Sequence, residues 1–251
     1  MRSKQNSSMA VLSVMIAVGA LLTFECGGVI AGQEPGISGT WERTPDDWYG
    51  QDPDAPILPG GKVDMKEPFA SEYQALKKRQ AAANTAGTPL VTASTRCLPE
   101  GMPTIMAGLF PIQIVRDADH VVVLGEYLSQ VRRILMDQDM PSKDKLEPSF
   151  QGQSRGHWEG DTLVVETRGV RTDARLYDLP HGKDMKITER IRLTAPDRLE
   201  NKIVIEDPEV LNSPYRFTFE YKRSSYAIQE YVCENNQSVI DSDGKVTIRR
   251  D

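Results

Sequence analysis

The chain has 251 residues, a length that suits one large domain or two small ones. Its composition, 39% hydrophobic and 26% charged, is ordinary for a soluble globular protein. A formal net charge of −6, with no long Lys/Arg run, argues against nucleic acid and against an anionic membrane surface as partners, since both require a basic face.

The first residues have the layout of a secretory signal peptide. A basic start at residues 2–4 precedes an apolar run from Met9 to Phe24, and Val29 and Ala31 supply small residues before a cleavage site. We predict a signal peptide over residues 1–31, a periplasmic or secreted mature protein, and no membrane-spanning segment after cleavage. A retained anchor is the alternative, but the run of about 16 residues is shorter than the roughly 20 that span a bilayer.

The three cysteines divide between the signal peptide and the mature chain. Cys26 would leave with the signal peptide. The alternative is a lipoprotein, which would retain Cys26 as its lipidated residue, but the preceding residues Thr-Phe-Glu do not suit a lipidation signal. Cys97 and Cys233 remain, and two cysteines in an exported chain predict a disulfide. A catalytic thiol is the alternative, but neither residue belongs to a nucleophile signature.

Residues 32–110 are predicted to form an extended segment and one helix that pack on the rest of the domain. The stretch Ile37–Trp41, ISGTW, is typical of a short strand. Residues Glu67–Asn84 are predicted to be helical, because Pro68 lies near the first turn and TAGTP follows the last one. Apolar residues recur in this helix at three-to-four spacing, so one stripe is expected to pack against the domain.

Residues 111–251 alternate apolar and polar side chains in short runs, which indicates β-strands. The predicted strands are Ile112–Arg116, His120–Tyr127, Val131–Asp137, Gln153–Trp158, Thr162–Thr167, Met185–Thr194, Leu199–Asp207, Tyr215–Lys222, Tyr226–Glu234 and Val246–Arg250. Without helices between them, parallel βαβ packing is excluded, and an antiparallel sandwich or barrel is favoured. We predict a mainly β fold, an antiparallel barrel of about eight to ten strands with one N-terminal helix. No nucleotide-cradling glycine loop is present, and no cofactor is predicted.

The stretch GHWEGDTLVVETRGV, from Gly156 to Val170, contains a predicted β-hairpin. Gly160 tolerates the positive φ of a tight turn, and Trp158 would lie opposite Leu163 across the two strands. The neighbouring carboxylates of residues 159 and 161 could serve in acid/base catalysis, but turn chemistry is the favoured interpretation.

The same hairpin carries a resemblance to a known group of proteins. It resembles the GxSxGxWEGDTLVVxT segment of a large group of secreted bacterial hypothetical proteins. The similarity continues in CLPEGMP, QVRRI, PH, ERIR and EDP along most of the mature chain. After RRI this chain reads LMDQDMP, where group members have a segment like YTDGRxHP, so a Gly and a His are missing. The resemblance implies a secreted barrel of lipocalin-like layout, and it brings no activity.

Four ionisable residues are predicted on otherwise apolar strand faces, where an unpaired charge is costly to bury. They are Glu126, Arg133, Glu189 and Asp207. Glu126 and Arg133 flank a short turn, so we predict that they face each other in the barrel interior. The pair would be either an internal salt bridge or a polar patch that orients or protonates a ligand.

Other candidate residues are a loop histidine and a set of aromatic residues. His181, in the loop YDLPHGKD, could act as a general acid or base, or could lie on the surface. The aromatic stripe Tyr215, Phe217, Phe219 and Tyr221 is predicted to form core, and also a wall for a ring-containing ligand together with Trp158. None of the three histidines stands at metal-ligand spacing with another, so no metal site is predicted.

Three functions remain open from the sequence. The first is an exported barrel that binds a small apolar or aromatic molecule in its cavity. The second is a cofactor-free isomerase, lyase or cyclase that uses Glu126, Arg133, His181 and Glu189 as catalytic residues in the same cavity. The third is a structural envelope protein without a ligand, which a filled barrel interior would favour.

Overall fold

A computed structural model describes residues 36–44, 58–107, 110–233, 238–240 and 246–248. The predicted signal peptide over residues 1–31, including Cys26, lies outside the described residues. The described residues all belong to one unit that extends from residue 34 to residue 251.

Nine strands form a closed barrel in which each strand pairs with its neighbours in chain order and the last pairs with the first. The strands are β1 (Gly39–Thr44), β2 (Ile112–Arg116), β3 (His120–Gly125), β4 (Gln130–Met136), β5 (Gln153–Glu159), β6 (Thr162–Arg168), β7 (Lys186–Ala195), β8 (Arg198–Glu206) and β9 (Tyr215–Ser224). The predicted mainly β barrel with one helix is confirmed, since the described residues contain a single α-helix.

One pair of strands departs from the predicted antiparallel arrangement. Strands β4 and β5 are parallel, with Ile134 opposite Ser154 and Met136 opposite Gly156. The reason is the long connection over residues 137–152, which returns the chain to the end of the barrel where β4 began. Tight hairpins cannot make that return, and so they join antiparallel strands only.

The boundaries of the barrel also differ from the prediction. Strand β1 pairs with both β9 and β2, so the barrel begins within the N-terminal segment and not at residue 111. The predicted strand Tyr226–Glu234 is wrong over residues 226–233, which have no strand. The predicted last strand contains β11 (Val246–Ile248), which pairs with β10 (Ser238–Ile240) in a separate two-stranded sheet.

The hairpin between β5 and β6 has the predicted register and turn. Trp158 lies opposite Leu163, and Glu159 opposite Thr162. Gly160 has a φ of 62°. A positive φ at the first of two turn residues is the pattern of a type II′ turn, whose twist suits an antiparallel hairpin.

One end of the barrel, called here the lower end, is where β7 and β9 begin and β8 ends. The helix α1 (Phe69–Thr85) docks there through Tyr73, its buried residue. The Tyr73 hydroxyl donates to the Tyr177 carbonyl at 3.4 Å, and Lys77 pairs with Asp178 at 2.9 Å. Among the described residues no helix has the length and apolar character needed to cross a bilayer.

The predicted disulfide is present. Cys97 and Cys233 are bonded, with their Cα atoms 5.7 Å apart. The bond ties the segment that follows α1 to the segment that follows β9, across 136 residues of sequence.

Candidate functional site

The centre of the barrel holds a buried ion pair. Arg132 of β4 and Glu189 of β7 are both 0% exposed. The guanidinium Nη1 donates to Glu189 Oε1 at 3.2 Å, and Nη2 donates to Oε2. This two-point contact places the planar cation against the carboxylate in the geometry that suits Arg best.

Neutral side chains from three further strands complete this network. Arg132 also donates to the hydroxyls of Ser154 at 3.3 Å and Thr167 at 3.0 Å. Those two hydroxyls lie 2.8 Å apart, and Asn201 Nδ2 donates to Glu189 Oε1 at 2.9 Å. Both charges therefore have several hydrogen-bond partners, which is what makes their burial tolerable.

Side chains fill the barrel around this network. Trp41, Leu163, Ile187 and Tyr221, from four different strands, have no measurable solvent-accessible surface. A cavity large enough for a water molecule would give the side chains that line it some accessible surface. These four side chains have none, so the middle of the barrel has no room for a ligand next to them.

The lower end of the barrel is closed by a short helical turn at Thr104–Ala107. Its carbonyls accept two hydrogen bonds from the barrel wall. Tyr221 donates to the Met106 carbonyl at 2.6 Å, and Arg43 donates to the Ala107 carbonyl at 2.9 Å. Burial and the nearby Glu189 charge raise the pKa of Tyr221, so its hydroxyl stays protonated and able to donate.

The predicted interior pair of Glu126 and Arg133 is wrong. Arg133 is exposed on the outer face of β4, beside Val131, which is 48% exposed. The inward residue is its neighbour Arg132. Successive side chains of a strand point to opposite faces, so an error of one residue exchanges the inside and the outside.

Glu126 is buried at 7% exposure, against the segment that follows β9. It follows the end of β3, and its carboxylate accepts hydrogen bonds from the Tyr226 hydroxyl at 3.1 Å and from the Gln229 backbone N–H at 2.9 Å. Ser129 donates to the Tyr231 carbonyl at 3.0 Å nearby. Glu126 therefore holds the segment after β9 against the β3–β4 connection.

The predicted aromatic stripe on β9 does face inward. Its members Tyr215, Phe217, Phe219 and Tyr221 are all buried, and the rings of successive residues from 215 to 219 pack about 5 Å apart. The Arg43 guanidinium stacks 4.6 Å from the centre of the Phe219 ring. The stripe is core, and Tyr215 also borders a pocket.

Trp158 lies in the upper half of the barrel, on the inner face of β5. It is partly buried, and the Arg116 guanidinium stacks over its ring at 4.7 Å. Glu159, at the hairpin turn, accepts from Arg190 at 2.9 Å and lies 3.2 Å from His157. The hydrogen bonds from Arg190 and His157 hold the pKa of Glu159 below its usual value, as expected for a turn carboxylate.

Residues 152–156 read Gly-Gln-Ser-Arg-Gly, the spacing of a serine-hydrolase nucleophile elbow. The structure does not support that role. Ser154 lies within β5, is almost fully buried and is hydrogen-bonded to Thr167. A nucleophile elbow requires an exposed serine on a sharp turn between a strand and a helix.

A pocket at the lower end of the barrel is the best candidate site. About 30 Å³ inside it is accessible to water, so the site is small and holds one or two water molecules. Its lining combines apolar side chains from distant parts of the sequence with three polar residues. The lining residues are Val63, Met65, Pro103, Leu176, Leu179, Pro180, His181, Met185, Ile205, Asp207, Leu211 and Tyr215.

Three residues predicted as site residues, His181, Asp207 and Tyr215, line this pocket together. The other predicted catalytic residues lie elsewhere. Glu189 is inside the barrel, Glu126 lies under the segment after β9, and Arg133 is on the outer face. The structure therefore does not bring the four predicted catalytic residues to one site.

Glu100, which was not a predicted site residue, is a partly buried carboxyl group. Burial raises its pKa to about 7. The backbone N–H of the next residue, Gly101, donates to Gln130 at 3.0 Å. Glu100 lies in the loop CLPEGMP, where neither periodicity nor spacing shows that a carboxylate is partly buried.

In the described parts of the chain, no group of three or more His, Cys, Asp or Glu residues could hold a metal ion. Comparison with known proteins adds no assignment: no family model matches the sequence, and no curated protein matches it.

Proposed function

We propose that this protein is exported and binds a small apolar or aromatic molecule in the pocket at the lower end of the barrel. The observation that carries the proposal is the largely apolar lining of this pocket. Such a pocket with a few convergent polar groups is the usual form of a small-molecule site. The proposed site differs from the predicted one, because side chains fill the barrel interior.

Export is supported by two independent features. The N-terminal residues have the pattern of a signal peptide, and the Cys97–Cys233 disulfide is typical of proteins in oxidising compartments. The resemblance to secreted bacterial proteins with a GxWEGDTLVVxT segment points in the same direction and stays a prediction.

A substitution that fills the pocket tests the binding site. Leu211→Trp adds a large side chain to the pocket lining, and Val131→Trp makes the matched change on the exposed outer face. Small neutral ring compounds should raise the melting temperature of the wild type and of Val131→Trp. They should stabilise Leu211→Trp much less, although it remains folded. Equal stabilisation of all three proteins would place binding elsewhere, and no stabilisation of the wild type would refute the proposal.

A structural role without a ligand is the second candidate, and the filled barrel interior favours it. It predicts that native mass spectrometry of the protein isolated from its own envelope finds no bound small molecule, and that ring compounds leave the melting temperature unchanged. The acid/base enzyme hypothesis receives no such support, because its four residues lie at separate places.

A further inference from the structure

The pocket at the lower end is closed, because two segments outside the barrel strands cover it. Residues 63–65 lead into α1, and Leu176, Leu179 and Pro180 belong to the loop that precedes β7. With these segments in place, about 30 Å³ of the pocket is accessible to water, room for one or two water molecules. A larger ligand can enter only when one of the two segments moves.

The tip of the loop has an unfavourable backbone conformation. Tyr177 has a φ of 50° and Asp178 a φ of 65°, both in the left-handed region. Asp tolerates this region, but a bulky residue such as Tyr adopts it only at a cost in free energy. Conformations of this kind persist where surrounding contacts enforce them, and they are frequent in ligand clamps and switch regions. The tip of the loop therefore depends on other elements to keep its shape.

One face of α1 supplies those contacts. Tyr73, Lys77 and Gln80 follow one another at helical spacing, so they lie on the same side of the helix. The Tyr73 hydroxyl donates to the Tyr177 carbonyl at 3.4 Å. Lys77 Nζ and Gln80 Nε2 both donate to Asp178 Oδ2, at 2.9 and 3.0 Å. The helix thus holds both residues of the left-handed turn.

The helix itself has little buried surface to hold it in place. Of its 17 residues, all of which the structure describes, Tyr73 alone is buried. The side chains of the Lys77–Asp178 ion pair are 19% and 36% exposed, and a pair with that exposure contributes little to stability. Elements with few buried apolar side chains are the ones that open locally while the rest of a protein stays folded.

The base of the loop is held by separate contacts. His181 Nε2 lies 2.8 Å from the Ala174 carbonyl oxygen, so the two ends of the loop are joined. The Gly182 backbone N–H donates at 2.7 Å to the buried carboxylate of Asp207, which follows β8. The tip can therefore move while the base stays attached to the barrel.

On the premise that this pocket is the binding site, we infer that α1 controls access to it. When α1 undocks, the left-handed turn at Tyr177 and Asp178 relaxes, and Leu176 and Leu179 withdraw from the pocket. The room for an apolar ligand forms in this open state. The apparent affinity for a ligand is then its intrinsic affinity multiplied by the fraction of open molecules.

Hydrogen exchange of the protein without ligand tests the opening. The amide of Leu179 donates to the Leu176 carbonyl at 2.9 Å within the loop. It should exchange through the same opening as the amides of α1, and much faster than the amides of β7 to β9. Lys77→Met should speed both by about fivefold, the upper range for a partly exposed ion pair. Lys78→Met, at the exposed neighbouring lysine, should change neither. Exchange of Leu179 at the rate of the barrel amides, or no response to Lys77→Met, would overturn the inference.

NMR titration with ethylbenzene, a small neutral probe, tests whether the opening leads to the pocket. Lys77→Met should bind it about fivefold more tightly than the wild type, and Lys78→Met should bind it as the wild type does. Adding Leu211→Trp to Lys77→Met fills the pocket and should abolish the gain. An unchanged affinity in Lys77→Met, or a gain that survives Leu211→Trp, would overturn the inference. Faster exchange of Leu179 in Lys77→Met, with no binding of ethylbenzene to any of these proteins, would refute the proposed function and leave the coupled opening standing.

Discussion

Replacing the buried ion pair of Arg132 and Glu189 should expose the cost of leaving one charge without its partner. Arg132→Met leaves Glu189 fully buried, with only the Asn201 amide as a donor. Glu189→Leu leaves the guanidinium with the hydroxyls of Ser154 and Thr167. Each single substitution should cost about 3–5 kcal/mol of unfolding free energy. In a domain of this size that lowers the melting temperature by roughly 10 °C.

The double variant should recover most of that loss. Without either charge, Ser154 and Thr167 still bond each other at 2.8 Å, and only the Asn201 amide loses its partner. One unsatisfied buried donor costs about 1–3 kcal/mol, so the double variant should be more stable than either single one.

Urea unfolding of the three variants and of Arg133→Met measures these differences. Arg133 is exposed on the outer face, so its replacement should change the unfolding free energy by less than about 0.5 kcal/mol. If Arg133→Met were more damaging than Arg132→Met, the register of β4 would be wrong. If the loss in the double variant equalled the sum of the single losses, the two charges would not be coupled.

Three further predictions concern the disulfide, the partly buried carboxyl of Glu100 and the hairpin turn. Replacing Cys97 and Cys233 by Ser should lower the unfolding free energy by about 5 kcal/mol, the chain-entropy estimate for a loop of this length. Melting curves with and without a dithiol reductant measure the loss, and identical curves would contradict the prediction. The pKa of Glu100 is about 7 in the folded state and 4.5 in the unfolded state, so the folded state binds the proton more tightly. As the pH rises from 4.5 to 7, ionisation of Glu100 should therefore lower the unfolding free energy by at most about 3 kcal/mol. Glu100→Gln should therefore raise the melting temperature at pH 8 and leave it unchanged at pH 4.5; the same gain at both pH values would exclude titration as the cause. Gly160→Val should cost about 1–2 kcal/mol because of the positive φ, and Glu159→Ala should cost less; chemical unfolding of both variants compares them, and the opposite order would refute the turn assignment.

The strand pattern could be predicted because it depends on local sequence. Alternating apolar and polar side chains, as in residues 215–221, indicate a strand with one buried face, whichever element covers that face. The hairpin register followed in the same way from Gly160 and the pair Trp158–Leu163. The disulfide followed from cysteine number and the expected compartment, without geometry.

The inward face of β4 could not be predicted. In QVRRILM both faces carry aliphatic residues and one arginine, so the alternation alone does not show which arginine is buried. Pairing with β3 and β5 decides, and it turns Arg132 inward toward Glu189. Glu189 was correctly predicted on the inner face of β7. It alternates with Ile187 and Ile191, and the opposite face of that strand is polar.

The sequence by itself determined that this chain forms a β-barrel with one helix and a Cys97–Cys233 bond, because period-two alternation, turn residues and cysteine number are local properties. Only the tertiary structure decided that side chains fill the barrel, that β1 closes it and that β4 and β5 are parallel. It also assembled the pocket, whose lining comes from residues 63–65, 103, 176–185 and 205–215. Residues so far apart in sequence come into contact only when the strands and loops have packed. Local sequence patterns therefore cannot predict this pocket.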